Sequence, residues 1–276
     1  MVLSDIILNK DSFIYAFAKS DDKKLNIALG WNKADYTPIQ IDLNESPHIL
    51  IAGATGSGKS VALNTAICSL LLRNSNIDIN WLMIDTKRVE LSQYNGLYGL
   101  LKPIAETYKD AEYLLKYAVA ILENRYIIMK RKGVKHIHEL NDKIIFAKNK
   151  YPDIIIVIDE LADLVYSDKK VIDPLLIKIA TLGRACGIHL LVATQRPTVD
   201  VVCGQLKANI DTRIALRVAS IRDSINIIDR KGAEELMGAG DGLIKLPTKP
   251  NEIRFQVAYI SDSNIKRVVA YKMNKI

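Results

Sequence analysis

Cysteine is scarce in this chain. Its three cysteines, Cys68, Cys186 and Cys203, are odd in number and share no Cys-x2-Cys spacing. That excludes a disulfide framework, argues for a reducing cytoplasm and leaves no thiolate cage for a structural metal. Histidine is nearly as sparse: of four, only His136 and His138 lie close together, and no third ligand stands at a suitable spacing. Long hydrophobic runs are missing too. The longest nearly apolar stretch, Val61 to Leu72, is interrupted by Asn64, Thr65 and Ser69 and falls far short of the roughly 20 residues a membrane span needs. The opening residues, Met1-Val-Leu-Ser-Asp5, have no basic start and carry an acid early, so no signal peptide is expected. No internal repeat, low-complexity tract or linker breaks the chain, and one domain is the economical reading.

The composition itself is that of a soluble globular protein, 49% hydrophobic and 25% charged. A net charge of +7 allows a polyanionic partner without requiring one.

The stretch with chemistry in it is Gly53-Ala54-Thr55-Gly56-Ser57-Gly58-Lys59-Ser60, a complete Gly-x4-Gly-Lys-[Ser/Thr] pattern. His48-Ile-Leu-Ile-Ala52 reads as a buried strand feeding this loop, and the residues from Ser60 through Val61 to Asn64 read as a helix start. Glycines let successive backbone N–H groups turn inward on phosphates, and the helix N-terminus adds the positive end of its dipole. Lys59 is expected against the β- and γ-phosphate oxygens, with the Ser60 hydroxyl on Mg2+.

Before this loop, residues 25–29 and 38–43 predict a hairpin around the polar turn Trp31–Asp35. The turn contains Asn32-Lys33-Ala34-Asp35, a guanine-reading pattern. It precedes the phosphate loop, and no Asp-x-x-Gly follows the later acidic strand end, so guanine specificity is not expected. After the loop, a helix to about Arg73 leads to a strand over 78–84, which presents Asp85-Thr86-Lys87 at its carboxyl end. Apolar residues at 111, 114, 115, 118, 122, 126 and 129 predict an amphipathic helix from Tyr108 to Lys132, closed by Gly133. The basic run Lys130, Arg131, Lys132 and Lys135 reads as its solvated end.

Ile154-Ile-Ile-Val-Ile158 is uniformly apolar, as a central parallel strand is, and ends in Asp159-Glu160. About 100 residues beyond a phosphate loop, that pair has defined work: Asp159 holds Mg2+ through water beside Ser60, and Glu160 polarises the attacking water. A helix is expected over Val171–Cys186, with Pro174 near its start and Gly187 at its end. The strand Ile188–Thr194 then delivers Gln195, placed to sense the γ-phosphate, and Arg196. A further strand over 213–218 and a hairpin around Pro247–Pro250 complete an α/β fold with a mostly parallel central sheet flanked by helices.

With these pieces placed, the chain closely resembles the motor domain of the FtsK/SpoIIIE family of DNA translocases, from about Ile27 to about Val269. The matching blocks are Pro47–Ser60, Ile84–Leu91, Ile158–Asp163, Arg184–His189, Ala193–Asp200, Lys207–Ile210, Thr212–Ala215 and Gly238–Asp241. The resemblance implies a RecA-like P-loop ATPase with a C-terminal β-hairpin, working as a homohexameric ring with ATP and Mg2+ at each subunit interface and double-stranded DNA in the channel. It also implies roles: Lys59, Ser60, Asp159, Glu160 and Gln195 act within the subunit, while Arg184 acts as an arginine finger toward a neighbour. Two DNA-facing loops are implied as well, one with Arg196 and Thr198, the other with Ser220 and Arg222. The second loop departs from the family pattern, having Ile221 and Ile225 where basic residues are usual.

The family's membrane-spanning region and C-terminal winged-helix module have no counterpart here, which suggests a minimal motor, of a mobile-element or conjugation type, a cut-down chromosomal one or a fragment, served by a membrane-bound partner protein. On this reading residues 1–46 are a strand-rich lead-in, a partial accessory domain, and 47–276 the motor. Two rival readings stay open: a type VII-secretion-like ATPase acting on proteins, and a nucleotide-binding adaptor without motor activity.

Overall fold

The computed structural model describes residues 16–17, 20, 25–75 and 77–273. The opening pentapeptide lies outside them. Its centre is a nine-stranded sheet in the order β2-β1-β9-β8-β7-β3-β6-β5-β4. In chain order the strands are β1 (Asn26–Asn32), β2 (Pro38–Asp42), β3 (His48–Ala52), β4 (Ile79–Ile84), β5 (Asp153–Ile158), β6 (Ile188–Thr194), β7 (Thr212–Leu216), β8 (Asp241–Lys245) and β9 (Ile253–Val257). The run β7-β3-β6-β5-β4 is parallel, and β8, β9, β1 and β2 extend it antiparallel.

The helices are α1 (Lys59–Arg73), α2 (Tyr108–Lys132), α3 (Ile137–Asp142), α4 (Leu161–Cys186), α5 (Gly204–Asn209), α6 (Ile221–Ile228) and α7 (Asp262–Met273). They cover both faces of the sheet, which is why the central strands are apolar throughout. Along β5, Ile154, Ile156 and Ile158 pack with α2, α3 and α4. Ile155 and Val157 point the other way, toward α1 and α7.

The expected hairpins both form. β1 pairs with β2, and β8 with β9, the latter across the Pro247–Pro250 turn. β1 also pairs with β9, so the described residues before 47 share one sheet with those after it. Gly30 makes this possible: a Cβ there would lie 1.9 Å from the Gln256 carbonyl oxygen, and the β1–β2 register shifts beside it.

Helix α2 runs over the predicted residues. Thr107 accepts the Asp110 N–H at its start, and Gly133 closes it in the left-handed region. Its buried face differs in one place: Arg125 is buried, whereas the predicted Tyr126 is half-exposed. The Arg125 guanidinium donates to the carbonyls of Cys186 and Gly187, satisfying the end of α4, and to that of Pro152. The basic run at 130–132 is exposed, as a solvated helix end is.

Helix α4 begins at Leu161, ten residues before the sequence pattern places it, and bends at Asp168, whose φ/ψ of −157/82 is not helical. Among the described residues, no helix is long and apolar enough to cross a membrane.

Candidate nucleotide site

The site lies at the carboxyl edge of the parallel strands. The loop Gly53–Ser60 leaves β3 between β6 and β7, where Gly53 N–H donates to the Thr194 carbonyl and Ala54 N–H to that of Arg217. A second segment backs it, with Gly240 N–H donating to the Ser57 carbonyl at 2.8 Å. Gly58 caps α1 at φ 99°, and a Cβ there would stand 2.5 Å from Gly240 N, so conformation and space both require glycine. Asp241 anchors the backing segment, taking hydrogen bonds from Arg254, Lys33 and Met237 N–H. Burial alone would raise its carboxyl, but these partners hold it down at about 2.

A cleft of about 700 Å3 opens over the loop. Ala54, Thr55, Gly56, Gly58, Lys59, Ser60 and Val61 line it, as expected of the phosphate-binding segment, while Gly53 and Ser57 face into the fold. Lys59 Nζ donates to the Asp159 main-chain oxygen at 2.7 Å and to Asp159 Oδ1 at 2.8 Å, and both side chains are buried. A buried pair of this kind holds its charges only because each satisfies the other.

Glu160 is equally buried and heavily held. Its Oε1 accepts from the Thr194 hydroxyl at 2.7 Å, and its Oε2 lies 3.1 Å from Gln195 N and 3.4 Å from Lys87 Nζ. The Gln195 side chain faces the cleft, its Oε1 accepting from the Thr55 hydroxyl at 3.1 Å. Strand ends β3, β5 and β6 therefore bring Lys59, Asp159, Glu160 and Gln195 together, as the sequence spacing implies.

Two further residues belong here: Lys87, which the sequence places at the end of β4 without a partner, and Glu90, which sequence reasoning passed over. Lys87 reaches Glu160 and Asp163, and Glu90 Oε1 accepts from the Ser60 hydroxyl at 2.5 Å. Both follow β4 in the block 84–91, which was the available signal. Asp85 itself is buried and accepts the Leu91 N–H, so it shapes the turn and does not face the cleft.

The guanine-like tetrapeptide comes to the cleft in space despite its position in the chain, since Asn32 and Lys33 line it. Its reading carboxylate is committed elsewhere: Asp35 Oδ1 accepts from Thr37 N–H at 3.0 Å and the Thr37 hydroxyl at 2.7 Å. Lys33 is tied to Asp241.

The donors at the metal end are hard oxygens, the Ser60 hydroxyl and the Asp159 carboxylate, beside which the Lys59 ammonium already places a cation. That set fits Mg2+, which binds through one or two carboxylates with phosphate and water completing its shell. Among the described residues, no group of three or more His, Cys, Asp or Glu could hold a metal ion, so the nucleotide would have to supply much of that shell.

Arg184 does not join this site. It is exposed near the end of α4, and its Nη2 donates to the Asn44 carbonyl at 3.1 Å, at the opposite edge of the sheet. Arg196 and Thr198 are exposed in the loop following β6. Ser220 ends the loop after β7 and caps α6, its hydroxyl accepting from Asp223 N–H and donating to Asp223 Oδ2. Arg222 is exposed in the first turn of that helix, and Ile221 and Ile225 are exposed as well. The two segments are joined, since the Asn226 side chain donates to the Pro197 carbonyl and Lys207 Nζ to that of Ile225. Asp229, just beyond α6, accepts from Lys207, Lys245 and Arg213, which together hold its carboxyl well below its ordinary range against the effect of burial.

The FtsK/SpoIIIE family model matches residues 15–199. DNA translocase FtsK 1 of Neisseria meningitidis serogroup A is 40% identical over 98% of this chain and 35% of its own length. DNA translocase SpoIIIE of Bacillus subtilis is 43% identical over 90% of this chain and 32% of its own. The chain thus spans about a third of the length of these relatives. Among solved structures, the pCW3 conjugation coupling protein TcpA, in its monomer form with ATPγS, superposes with a TM-score of 0.80 at 31% identity, over 92% of this chain and 72% of that one. The type VII secretion ATPase EccC of Thermomonospora curvata gives a TM-score of 0.81 at 26% identity, over 93% of this chain and 32% of that one. The fold is that of the P-loop ATPases, and with its family's pattern matched over most of its length, this chain belongs to the FtsK/SpoIIIE family.

Proposed function

We propose that this chain is the ATP-hydrolysing motor of a double-stranded DNA translocase. One observation carries the reading: the carboxylate of Glu160 receives the N–H of Gln195, the residue directly before Arg196. The group that would polarise the attacking water and the loop that would meet DNA are neighbours at the adjacent ends of β5 and β6. A change at the γ-phosphate is then felt by the DNA-facing segment through a single peptide unit.

In this reading Gly53–Val61 cradle the triphosphate, and Lys59 leaves Asp159 for the phosphates. Ser60 and Asp159 hold Mg2+, which supplies charge neutralisation on the phosphates when bound. Glu160 orients the water, and Gln195 senses the γ-phosphate. ATP is favoured over GTP because Asp35 is already engaged by Thr37. Arg184, far from its own phosphate loop, serves a neighbour's nucleotide in a homohexameric ring. Arg196, Thr198, Ser220 and Arg222 contact DNA phosphates without reading sequence. Residues 47–276 form the motor domain, with β1 and β2 of the lead-in completing its sheet, and a membrane-bound partner protein would serve it in a reducing cytoplasm.

Type VII secretion is the rival, because an EccC domain shares the fold. The higher identity of the DNA translocases to this chain favours DNA. The test is ATP turnover with and without duplex DNA across a salt series. Stimulation is expected, with a log–log salt slope reflecting the phosphates contacted. DNA-independent turnover would favour a protein substrate, and absent Glu160-dependent hydrolysis would leave only the adaptor.

A further inference from the structure

The turn after β4 carries two charged side chains into the nucleotide site, and one of them sets the orientation of the metal ligand. We propose that Glu90 is a positioning residue for the Ser60 hydroxyl, directing its lone pairs toward the divalent cation of the bound nucleotide. The proposal rests on the reading of Gly53–Ser60 as a nucleotide site.

The hydroxyl of a serine is a rotor with one O–H and two lone pairs. To ligate a hard cation it must turn its O–H away from the ion. Here the O–H has a fixed acceptor, Glu90 Oε1 at 2.5 Å, in the range of a charge-assisted hydrogen bond. With that bond made, both lone pairs of Ser60 Oγ are directed away from Glu90, and the bond raises the electron density of the ligating oxygen. Partners of this kind beyond the ligands themselves set ligand orientation and basicity at metal sites.

The contact is built into the fold and is not a chance meeting of surface groups. Gln93 Nε2 donates to the Glu90 carbonyl at 3.1 Å and to Asn64 Oδ1 at 3.3 Å, and Asn64 lies one helical turn beyond Ser60 on α1. The Tyr94 hydroxyl donates to the same Asn64 oxygen at 2.7 Å. The turn is therefore fastened to the helix that carries Ser60. Its other end is pinned by Asp85, which accepts the Leu91 N–H at 2.9 Å. Glu90 also lines the cleft together with Ser60.

The experiment uses the full chain and the fluorescent analogue mant-ATPγS. Its affinity is measured in EDTA and across a Mg2+ titration, with Mn2+ binding to the nucleotide complex followed by electron paramagnetic resonance. For Glu90→Ala the half-saturating metal concentration should rise about 10–100-fold. Metal-free nucleotide affinity should stay within about threefold of wild type. Glu90→Gln, which keeps a carbonyl oxygen at the same reach, should lose several-fold less.

Metal titrations of Glu90→Ala that coincide with wild type would overturn the proposal, as would an equal loss of metal-free and metal-dependent affinity, the mark of a structural role. If Glu90→Ala does not fold, Glu90→Gln decides, and an unchanged metal affinity there overturns the proposal. Nucleotide affinity in wild type that shows no metal dependence removes the Glu90 role while leaving the nucleotide site standing. A wild-type chain that binds no nucleotide removes both.

Discussion

In the proposed mechanism hydrolysis depends on Glu160, and its surroundings say what its loss should do. Four donors, from Thr194, Gln195, Ala162 and Lys87, already hold the carboxylate in place, so Glu160→Gln keeps the shape of the site while removing the base. ATP turnover should fall by about 10²–10⁴-fold with nucleotide affinity within a few-fold of wild type, measured by phosphate release and mant-ATP fluorescence. Lys59→Ala should instead abolish turnover and leave Asp159 buried without its partner. Arg184→Ala is the test of the ring: nucleotide binding is retained and hydrolysis lost. Full activity in that variant would remove the finger from Arg184 and with it the shared site.

At the scale of elements, the phosphate loop depends on the segment behind it as much as on its own residues. Gly58→Ala would force a side chain into the left-handed region, at about 1–2 kcal/mol, and against Gly240 N. A lower melting temperature together with a larger loss of nucleotide affinity is expected, since the backing segment must move to admit the methyl group. Unchanged affinity would show that the loop and the Gly238–Asp241 segment are not coupled. The segments proposed to face DNA are likewise a joined unit. Asn226, Lys207 and Asp229 tie the loop after β6 to α5, α6 and β8, so movement begun at Gln195 has a connected surface to act on.

Across the whole molecule, the edge of the sheet opposite the nucleotide carries the pH dependence. Burial, aided by His189 and opposed by a hydrogen bond at Ala180, pushes His48 down to about 3. Unfolding frees it to take up a proton below its ordinary value, so its contribution to stability is intact above about pH 6.5 and is lost as pH falls toward 3. His138 works in the opposite sense. Its hydrogen bond with Asp153 raises it, and the stability it adds is present below its ordinary value and lost as pH rises through the raised one. Asp153 is favoured toward protonation by burial, but His138 and His189 hold it at about 2, so its contribution disappears only below about pH 4. Unfolding free energies from urea titrations should therefore peak near pH 6.5, falling on the acid side by on the order of 1 kcal/mol per pH unit. His138→Ala should flatten the alkaline side and, by removing one of the two imidazoles that hold Asp153 down, shrink the part of the acid-side fall that Asp153 contributes below about pH 4.

The sequence by itself determined the phosphate loop, the acidic pair after an apolar strand, the long α2 with its closing glycine, and the hairpins. Each of these is written in neighbouring residues, through glycine spacing or apolar period. What it did not determine were contacts between segments far apart in the chain: Glu90 on Ser60, Lys87 on Glu160, Arg125 on the end of α4, and Lys33 of the guanine-like turn held by Asp241. The start of α4 and the helix capped by Ser220 were missed for a related reason, because their apolar residues face packing partners that no local period reveals. Only the tertiary structure decided them, since a buried charge takes its meaning from whichever partner the sheet order brings within hydrogen-bond reach.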